Sequence, residues 1–124
     1  MAVDTGSQPP IQIGKELELV KHYVMLGIVM RILDHDIRII GSTATKLPRL
    51  YESILRGLQD RVLLELANMR RQFRESGIQV NEEIRSKEGL TAIYRCRGYQ
   101  HTFSFLWTFV KAEAERLLKA YTVH

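Results

Sequence analysis

Three ionisable residues, Glu18, His22 and Asp36, lie beside the apolar stripe of the first long amphipathic segment of this chain. The stripe residues recur every three or four positions, which is the spacing of one face of an α-helix. They are Leu19, Tyr23, Leu26, Met30, Leu33, Ile37 and Ile40. An ionised group that faces a protein core costs several kcal/mol unless it is paired. Each of the three therefore needs a partner elsewhere in the chain.

The partners of Glu18 and His22 can be sought on the next two predicted helices. If the first two helices turn back at residues 41–47, the helical rise places Glu65 level with His22. Arg61 lies one turn from Glu65, and Glu113 projects from the apolar side of the last helix. The sequence therefore predicts a polar layer of Glu18, His22, Arg61, Glu65 and Glu113.

Two kinds of chemistry fit this layer. One is internal ion pairing, Arg61 with Glu113 or Glu65 and Glu18 with His22, which fixes the helix register. The other is a metal site, since Glu18, His22, Glu65 and Glu113 resemble the ligands of carboxylate-bridged metal bundles. Those bundles carry Glu-x-x-His twice, whereas this chain has one Glu18-x-x-x-His22, and the Arg61 cation would repel a metal. We favour ion pairing and expect no cofactor.

Asp36 is too far along the helix to join the layer. Fourteen residues separate it from His22, which corresponds to about 21 Å of helix. Lys46, at the far end of the first loop, and the hydroxyl of Tyr51 are its nearest candidate partners. The sequence thus predicts a clamp of Asp36, Lys46 and Tyr51 that fixes the first turn.

The periodicity along the chain predicts the elements that position these residues. Helices are expected over residues 15–40, 47–76 and 98–121, and a β-hairpin over 78–97 that turns at Ser86 to Gly89. The predicted fold is mainly α, an antiparallel three-helix bundle with a β-hairpin between helices 2 and 3 (α-α-β-β-α). Residues 1–14 are expected to be a flexible lead, and residues 15–124 a single domain.

Composition and motifs narrow the class of function. The chain has 124 residues, 45% hydrophobic and 26% charged, with one cysteine, Cys96. One cysteine excludes a disulfide framework and a thiolate zinc cluster, and it fits a reducing cytoplasm. The sequence lacks the layout of a signal peptide and has no apolar run long enough to span a membrane. It also lacks the common catalytic motifs. We therefore expect a cytoplasmic, non-enzymatic protein with no membrane partner.

A net charge of +4 leaves nucleic-acid binding open as an alternative function. Basic residues recur along the outward side of helix 2 and in the hairpin, where they could follow a phosphate backbone. The candidates are Arg49, Arg56, Arg70, Arg71, Arg74, Arg95 and Arg97. Glu52, Asp60 and Glu75 interrupt this surface, and faces of mixed charge are typical of ordinary solvated helices.

A second apolar face on helix 1 supports our leading hypothesis. Leu17, Val20, Val24 and Ile28 lie opposite the main stripe, so either the helix is sandwiched or this face meets another subunit. Phe105 and Trp107 lie off the core stripe of helix 3 and could anchor a partner. The sequence therefore favours a helical interaction module that binds itself as a homodimer or binds another protein.

Several short motifs carry a family resemblance over residues 29–121. They are Ile32-Leu33-Asp34-His35-Asp36, Lys46-Leu47, Tyr51, Gly77-Ile78-Gln79-Val80, Tyr94 and Arg97-Gly98-Tyr99. In these motifs the chain resembles the YhjD-like family of small uncharacterised proteins from Bacillus and related bacteria. The resemblance implies a cytoplasmic bacterial protein and implies no activity or substrate.

Overall fold

The computed structural model describes residues 10–122 as three helices and one antiparallel sheet of three strands, in the order α-α-β-β-β-α. The helices are α1 (Pro10–Ser42), α2 (Pro48–Ser76) and α3 (Trp107–Thr122). The strands are β1 (Ile78–Arg85), β2 (Gly89–Cys96) and β3 (Tyr99–Leu106), in the sheet order β1-β2-β3. Of the expected flexible lead, residues 1–9 lie outside the described part of the chain, and the rest begins α1.

The predicted bundle with a two-stranded hairpin is wrong, because residues 99–106 form a third strand instead of the start of a helix. Tyr99, Phe103 and Leu106 fit a helical stripe, but His101, Phe103 and Phe105 also alternate with polar residues. Residues 99–106 form a strand and not a helix because Arg97 and Gly98 make a two-residue turn with φ values of 52° and 87°. A turn with positive φ at both central residues matches the twist of a tight hairpin and directs the chain back along β2.

The two long helices agree closely with the prediction. Helix α2 starts at Pro48, where the missing N–H of proline leaves no helical hydrogen bond unmade, and it ends at Ser76, followed by Gly77 as its cap. Gly77 has a left-handed φ of 72° and donates its N–H to the Phe73 carbonyl, which closes the helix. The hairpin of β1 and β2, which turns at Ser86 to Gly89, is also confirmed.

Helix α1 lies between α2 and the sheet. One side of it buries Leu26 and Leu33 in the same core as Val62 of α2, and another buries Val20 and Val24. The inner face of β2 completes this core with side chains that are 0–1% exposed. They are Leu90, Ala92, Tyr94 and Cys96. Helix α3 adds Val110 and Ala114 to the same core, so one helix is covered from three directions.

A β-bulge in β1 decides which side chains face α1. Val80 pairs with Tyr94, but Glu82 pairs with Ile93, so Asn81 is an extra residue in the strand. The alternation therefore shifts, and Glu83 faces the helix, where it accepts a hydrogen bond from Arg31 at 3.1 Å. Without this bulge Glu82 would pair with Ala92 and face the helix, and the apolar Ile84 would take the inward position of Arg85 opposite Leu90.

The sheet covers only part of the helical hairpin. Cys96 at one end of β2 contacts Glu16, and Glu83 near the other end of the sheet contacts Arg31. Helix α1 continues from Arg31 to Ser42, about 16 Å further. The end of the α1–α2 hairpin therefore projects beyond the sheet.

Gly89 provides a test of the pairing between β2 and β3. A Cβ atom at this position would lie 1.9 Å from the carbonyl oxygen of Phe105, so Gly89→Ala has to push the strands apart. We expect it to lower the free energy of unfolding by about 3 kcal/mol or more, measured by urea denaturation. Gly27→Ala is the control, since nothing lies within 4 Å of the new Cβ, and alanine in a helix should stabilise by up to about 1 kcal/mol. Equal effects of the two variants would contradict this register.

Candidate functional site

A hydrogen-bonded polar cluster joins the three helices. His22 of α1 lies 2.6 Å from Glu65 of α2, measured from Nε2 to Oε2, as the geometry of the first turn predicted. Tyr121 of α3 donates its hydroxyl to the other carboxylate oxygen of Glu65. Arg61 donates to the main-chain carbonyl of Tyr121, and its guanidinium lies 5.0 Å from the centre of the tyrosine ring. The cluster thus fixes α3 against α1 and α2.

The electrostatics of this cluster favour an ionised Glu65. Partial burial alone would raise the pKa of the Glu65 carboxyl, but the hydrogen bonds of Tyr121 and His22 and the charge of His22 outweigh it, and the pKa lies below its ordinary value. Burial, followed by the hydrogen bond to Glu65, raises the pKa of the Tyr121 hydroxyl. A carboxylate that accepts from a neutral phenol and an imidazole is a stable structural arrangement.

The other members of the predicted polar layer do not form the predicted ion pairs. Arg61 contacts Tyr121 instead of Glu113 or Glu65, so its predicted pairing is wrong. Glu113 accepts two hydrogen bonds from Arg116, at 2.9 and 2.5 Å, and these hold the pKa of Glu113 below its usual range. Glu18 is exposed. Within residues 10–122 no three His, Cys, Asp or Glu side chains are grouped to hold a metal ion.

Asp36 does not face the core, so the predicted clamp is wrong. Its side chain is 53% exposed and lies 3.0 Å from the Nδ1 atom of His35, its neighbour in sequence. Lys46 is exposed, and Tyr51 is 38% exposed. Met25 and Val29 lie on the same side of α1 as Asp36 and are 2% and 0% exposed. Asp36 is therefore exposed because it lies on the end of α1 that projects beyond the sheet.

The predicted interface residues are used inside the monomer. Val20, Val24 and Ile28 are 0–4% exposed, and Leu17 packs against the same core, because the sheet covers this face of α1. Phe105 is buried as well. Trp107 is partly buried and donates its indole N–H to the Ser86 carbonyl at 2.8 Å. The predicted docking surface of α1 and the last helix is therefore wrong.

Several of the basic candidates for nucleic-acid contact have partners within the chain. Arg56 pairs with Glu52, Arg97 with Glu16, and Arg70 donates to the hydroxyl of Tyr23. The remaining four are exposed. Arg49, Arg71 and Arg74 lie on α2, and Arg95 lies on the sheet. Arg74 and Arg95 line one pocket together, and the phosphate-binding surface stays a prediction.

The projecting end of the helical hairpin carries an apolar surface, here named the hairpin-end patch. Its four members are large apolar side chains that are 38–54% exposed. They are Leu47, Leu50, Tyr51 and Ile54. Sequence reasoning placed only Tyr51 in a candidate site, since periodicity shows which residues share a face and not whether that face is covered. The length of the two helices relative to the strands was the one feature of the sequence that could have indicated that the end of the helical hairpin is left uncovered.

A second surface, here named the β3 cleft, opens between β3 and α3 with α1 as its floor. Its volume is about 560 Å³. Met25, Phe105, Leu106 and Phe109 form its apolar part, and the rings of Phe105 and Phe109 are 5.5 Å apart. Its other lining residues are Glu18, Lys21, His22, Ser104, Glu113 and Arg116. The cleft could not be predicted from the sequence, because residues 99–106 were expected to form a helix and not the strand β3.

One further buried polar contact lies under the sheet. The thiol of Cys96, 1% exposed, donates to Glu16 at 2.7 Å, and Arg97 lies 3.3 Å from the same carboxylate. Burial and the nearby Cys96 and Glu16 raise the pKa of the Tyr94 hydroxyl. A structural cysteine buried in this way is inert, so Cys96 is interpreted as a structural thiol.

A family model described as YhjD protein matches residues 12–124. No curated protein and no solved structure matches the chain. Across the described helices, none combines the length and the apolar character needed to cross a membrane.

The polar cluster predicts a pH-dependent contribution of Tyr121. Tyr121→Phe removes the donor to Glu65 and should lower the free energy of unfolding by about 1 kcal/mol at pH 7, a small value because Glu65 is partly exposed. Because the pKa of Glu65 is depressed below 4.5 on folding, its contribution is complete above that value and disappears as the pH falls through the folded pKa. The difference between variant and wild type should therefore shrink below about pH 4.

Urea denaturation at a series of pH values measures this difference. Tyr51→Phe is the control, because the Tyr51 hydroxyl has no hydrogen-bond partner in the described structure, and it should be neutral throughout. A cost of Tyr121→Phe that stayed constant down to pH 3 would show that Glu65 is not its acceptor.

Asp36 gives a simple test of the orientation of α1. Because its side chain is 53% exposed, Asp36→Ala should change the free energy of unfolding by less than about 0.5 kcal/mol. Leu33→Ala, one turn earlier at a residue 2% exposed, should cost about 2–5 kcal/mol. A large loss from Asp36→Ala in the same denaturation experiment would restore the predicted clamp.

Proposed function

Because the chain belongs to the YhjD protein family, whose description carries no activity, we propose from its own surface that it is a non-enzymatic interaction module. It forms a homodimer through the hairpin-end patch. The observation that carries this proposal is the exposure of four large apolar side chains, Leu47, Leu50, Tyr51 and Ile54, on one side of α2 at the end of the helical hairpin. Contiguous apolar patches of this kind mark interaction sites in soluble proteins. The use of a single cysteine, Cys96, with a buried thiol supports a location in the reducing cytoplasm.

The patch lies on the side of α2 that α3 covers further along. Leu47, Ile54 and Arg61 are spaced by seven residues, so they share one side of α2. At Arg61 this side is occupied by Tyr121 of α3. Helix α3 ends at Thr122, and the same side of α2 is left bare from Leu47 to Ile54. A helix from another molecule can continue the layer that α3 begins.

The residues on this side of α2 suit helix packing. Leu47, Leu50, Tyr51, Ile54 and Leu58 follow the three-and-four spacing of helix–helix contacts. Gly57 lies beside them and is exposed, which permits a close approach of backbones. The charged residues of the same segment lie on the opposite side of α2. They are Arg49, Glu52, Arg56 and Asp60.

A second copy is the occupant that this geometry fits best. Two antiparallel helical hairpins that pack side by side form a four-helix bundle, a common and stable arrangement. An isologous contact needs one self-complementary patch, and an uncharged apolar surface meets that condition without matching charges. The patch exposes on the order of 400 Å², below the ~800 Å² per partner of standard interfaces, so we expect a dissociation constant in the micromolar range.

Leu50→Glu tests the proposed dimer. It places a charge in the middle of the patch, at a residue 50% exposed in the monomer, so it should abolish association while leaving the fold intact. Sedimentation equilibrium over a concentration series should show wild-type mass rising from one chain to two. The variant should remain monomeric at every concentration.

Leu63→Glu is the matched control, because Leu63 is 45% exposed and lies about 140° from Leu50 around the helix. It should dimerise like the wild type. A wild-type protein that remains monomeric up to several hundred micromolar would disprove the proposal. Equal loss of association in both variants would place the interface elsewhere.

A further inference from the structure

The two edges of the sheet differ in their protection against a further strand. The β1 edge carries the bulge at Asn81 and the charged residues Glu82, Glu83 and Arg85, which are the features that keep edge strands from pairing. The β3 edge, Tyr-Gln-His-Thr-Phe-Ser-Phe-Leu, has no Asp, Glu, Lys, Arg, Pro or Gly. In the described structure β3 pairs with β2 alone. One edge is closed to pairing and the other is open.

The main-chain groups on this open edge can be assigned from the β2–β3 pairing. The N–H of Trp107 donates to the Glu88 carbonyl, and the carbonyl of Phe105 points at Gly89. Because main-chain groups alternate in direction along a strand, those of Ser104 and Leu106 point away from β2. Both residues line the β3 cleft. A row of main-chain donors and acceptors therefore borders the cleft.

The shape of the cleft suits one extended chain. Strand β3 and helix α3 diverge from the junction of Leu106 and Trp107, with α1 between them as the floor. The volume of about 560 Å³ is within the range of binding pockets for small ligands. A strand lies about 4.8 Å from its neighbour in a sheet, so a single extended segment fits into the cleft. A partner strand with a helix packed against it would need far more room.

The lining selects the side chains of such a segment. Phe105 and Phe109 offer apolar contacts, and alternate side chains of a strand point to the same side. Lys21 and Glu18 provide one charge of each sign on the floor, while Glu113 is already neutralised by Arg116. The cleft therefore matches a segment with apolar residues at alternate positions and no strong net charge.

We propose that the β3 cleft binds an extended, uncharged segment of another protein, which adds to β3 as a fourth strand of the sheet. Main-chain hydrogen bonds to Ser104 and Leu106 hold the segment, and its alternate apolar side chains contact Phe105 and Phe109. This is the strand-addition mode of peptide recognition. It uses a different surface from the hairpin-end patch and does not depend on dimerisation.

Selection from a random library of eight-residue peptides on phage, with the full chain as bait, provides the probe. We expect enrichment of sequences with apolar residues at alternate positions, and we expect the best synthetic peptide to bind in fluorescence anisotropy. Ser104→Pro removes the outward N–H and is tolerated at a strand edge, and it should weaken binding at least tenfold. Ser104→Ala keeps the N–H and loses the same hydroxyl, so it should bind within twofold of the wild type.

N-methylation of every second peptide bond removes the same hydrogen bonds from the side of the ligand, so it tests the proposal even if Ser104→Pro fails to fold. Two such peptides are made, with the methylated positions offset by one residue. The peptide methylated on the N–H groups that face β3 should not bind, and the other should bind as before. Failure to enrich any peptide, or equal binding by the two methylated peptides, would overturn the proposal. A dimer that persists in Leu50→Glu and is lost in Ser104→Pro would also overturn it, since a second copy would then occupy the edge.

Discussion

The structure depends on the burial of one helix on several sides. Within the segment that the sheet covers, α1 is apolar over most of its circumference, and side chains such as Val20, Val29 and Leu26 are 0% exposed. A single antiparallel partner covers one stripe of a helix. The second stripe requires another layer, and the inner face of β2 supplies it with Leu90, Ala92 and Tyr94. Each other element is placed by the need to cover α1.

The bounds of both long helices can be predicted from the sequence, but the elements that pack against these helices cannot. Their bounds follow from local signals, such as Pro48 at the start of α2 and Gly77 at its end, and the facing of His22 and Glu65 follows from helix geometry. The strand β3 could not be separated from a helix, because Tyr99, Phe103 and Leu106 fit the helical period while His101, Phe103 and Phe105 fit the strand period. The turn at Arg97 and Gly98 decided it, through φ values that a sequence does not display.

The errors in the candidate sites have a common physical cause. A helical wheel gives the angle between two residues, but it does not show which part of the helix its partners cover. Asp36 lies beyond the sheet and is exposed, whereas Val24 lies under the sheet and is buried. His22 and Glu65 were found because both lie at the contact between the two helices. Tyr121 was missed because the path of the last helix depended on β3.

Both proposed binding surfaces arise from a mismatch of lengths. The strands have eight residues each, whereas α1 has 33 and α2 has 29, so the helices extend beyond the sheet and leave the hairpin-end patch bare. Helix α3, with 16 residues, is too short to cover that patch. Because it crosses toward Glu65 to complete the polar cluster, it also diverges from β3 and opens the cleft. The contact between Tyr121 and Glu65 therefore fixes α3 in the position that leaves the open edge of the sheet accessible.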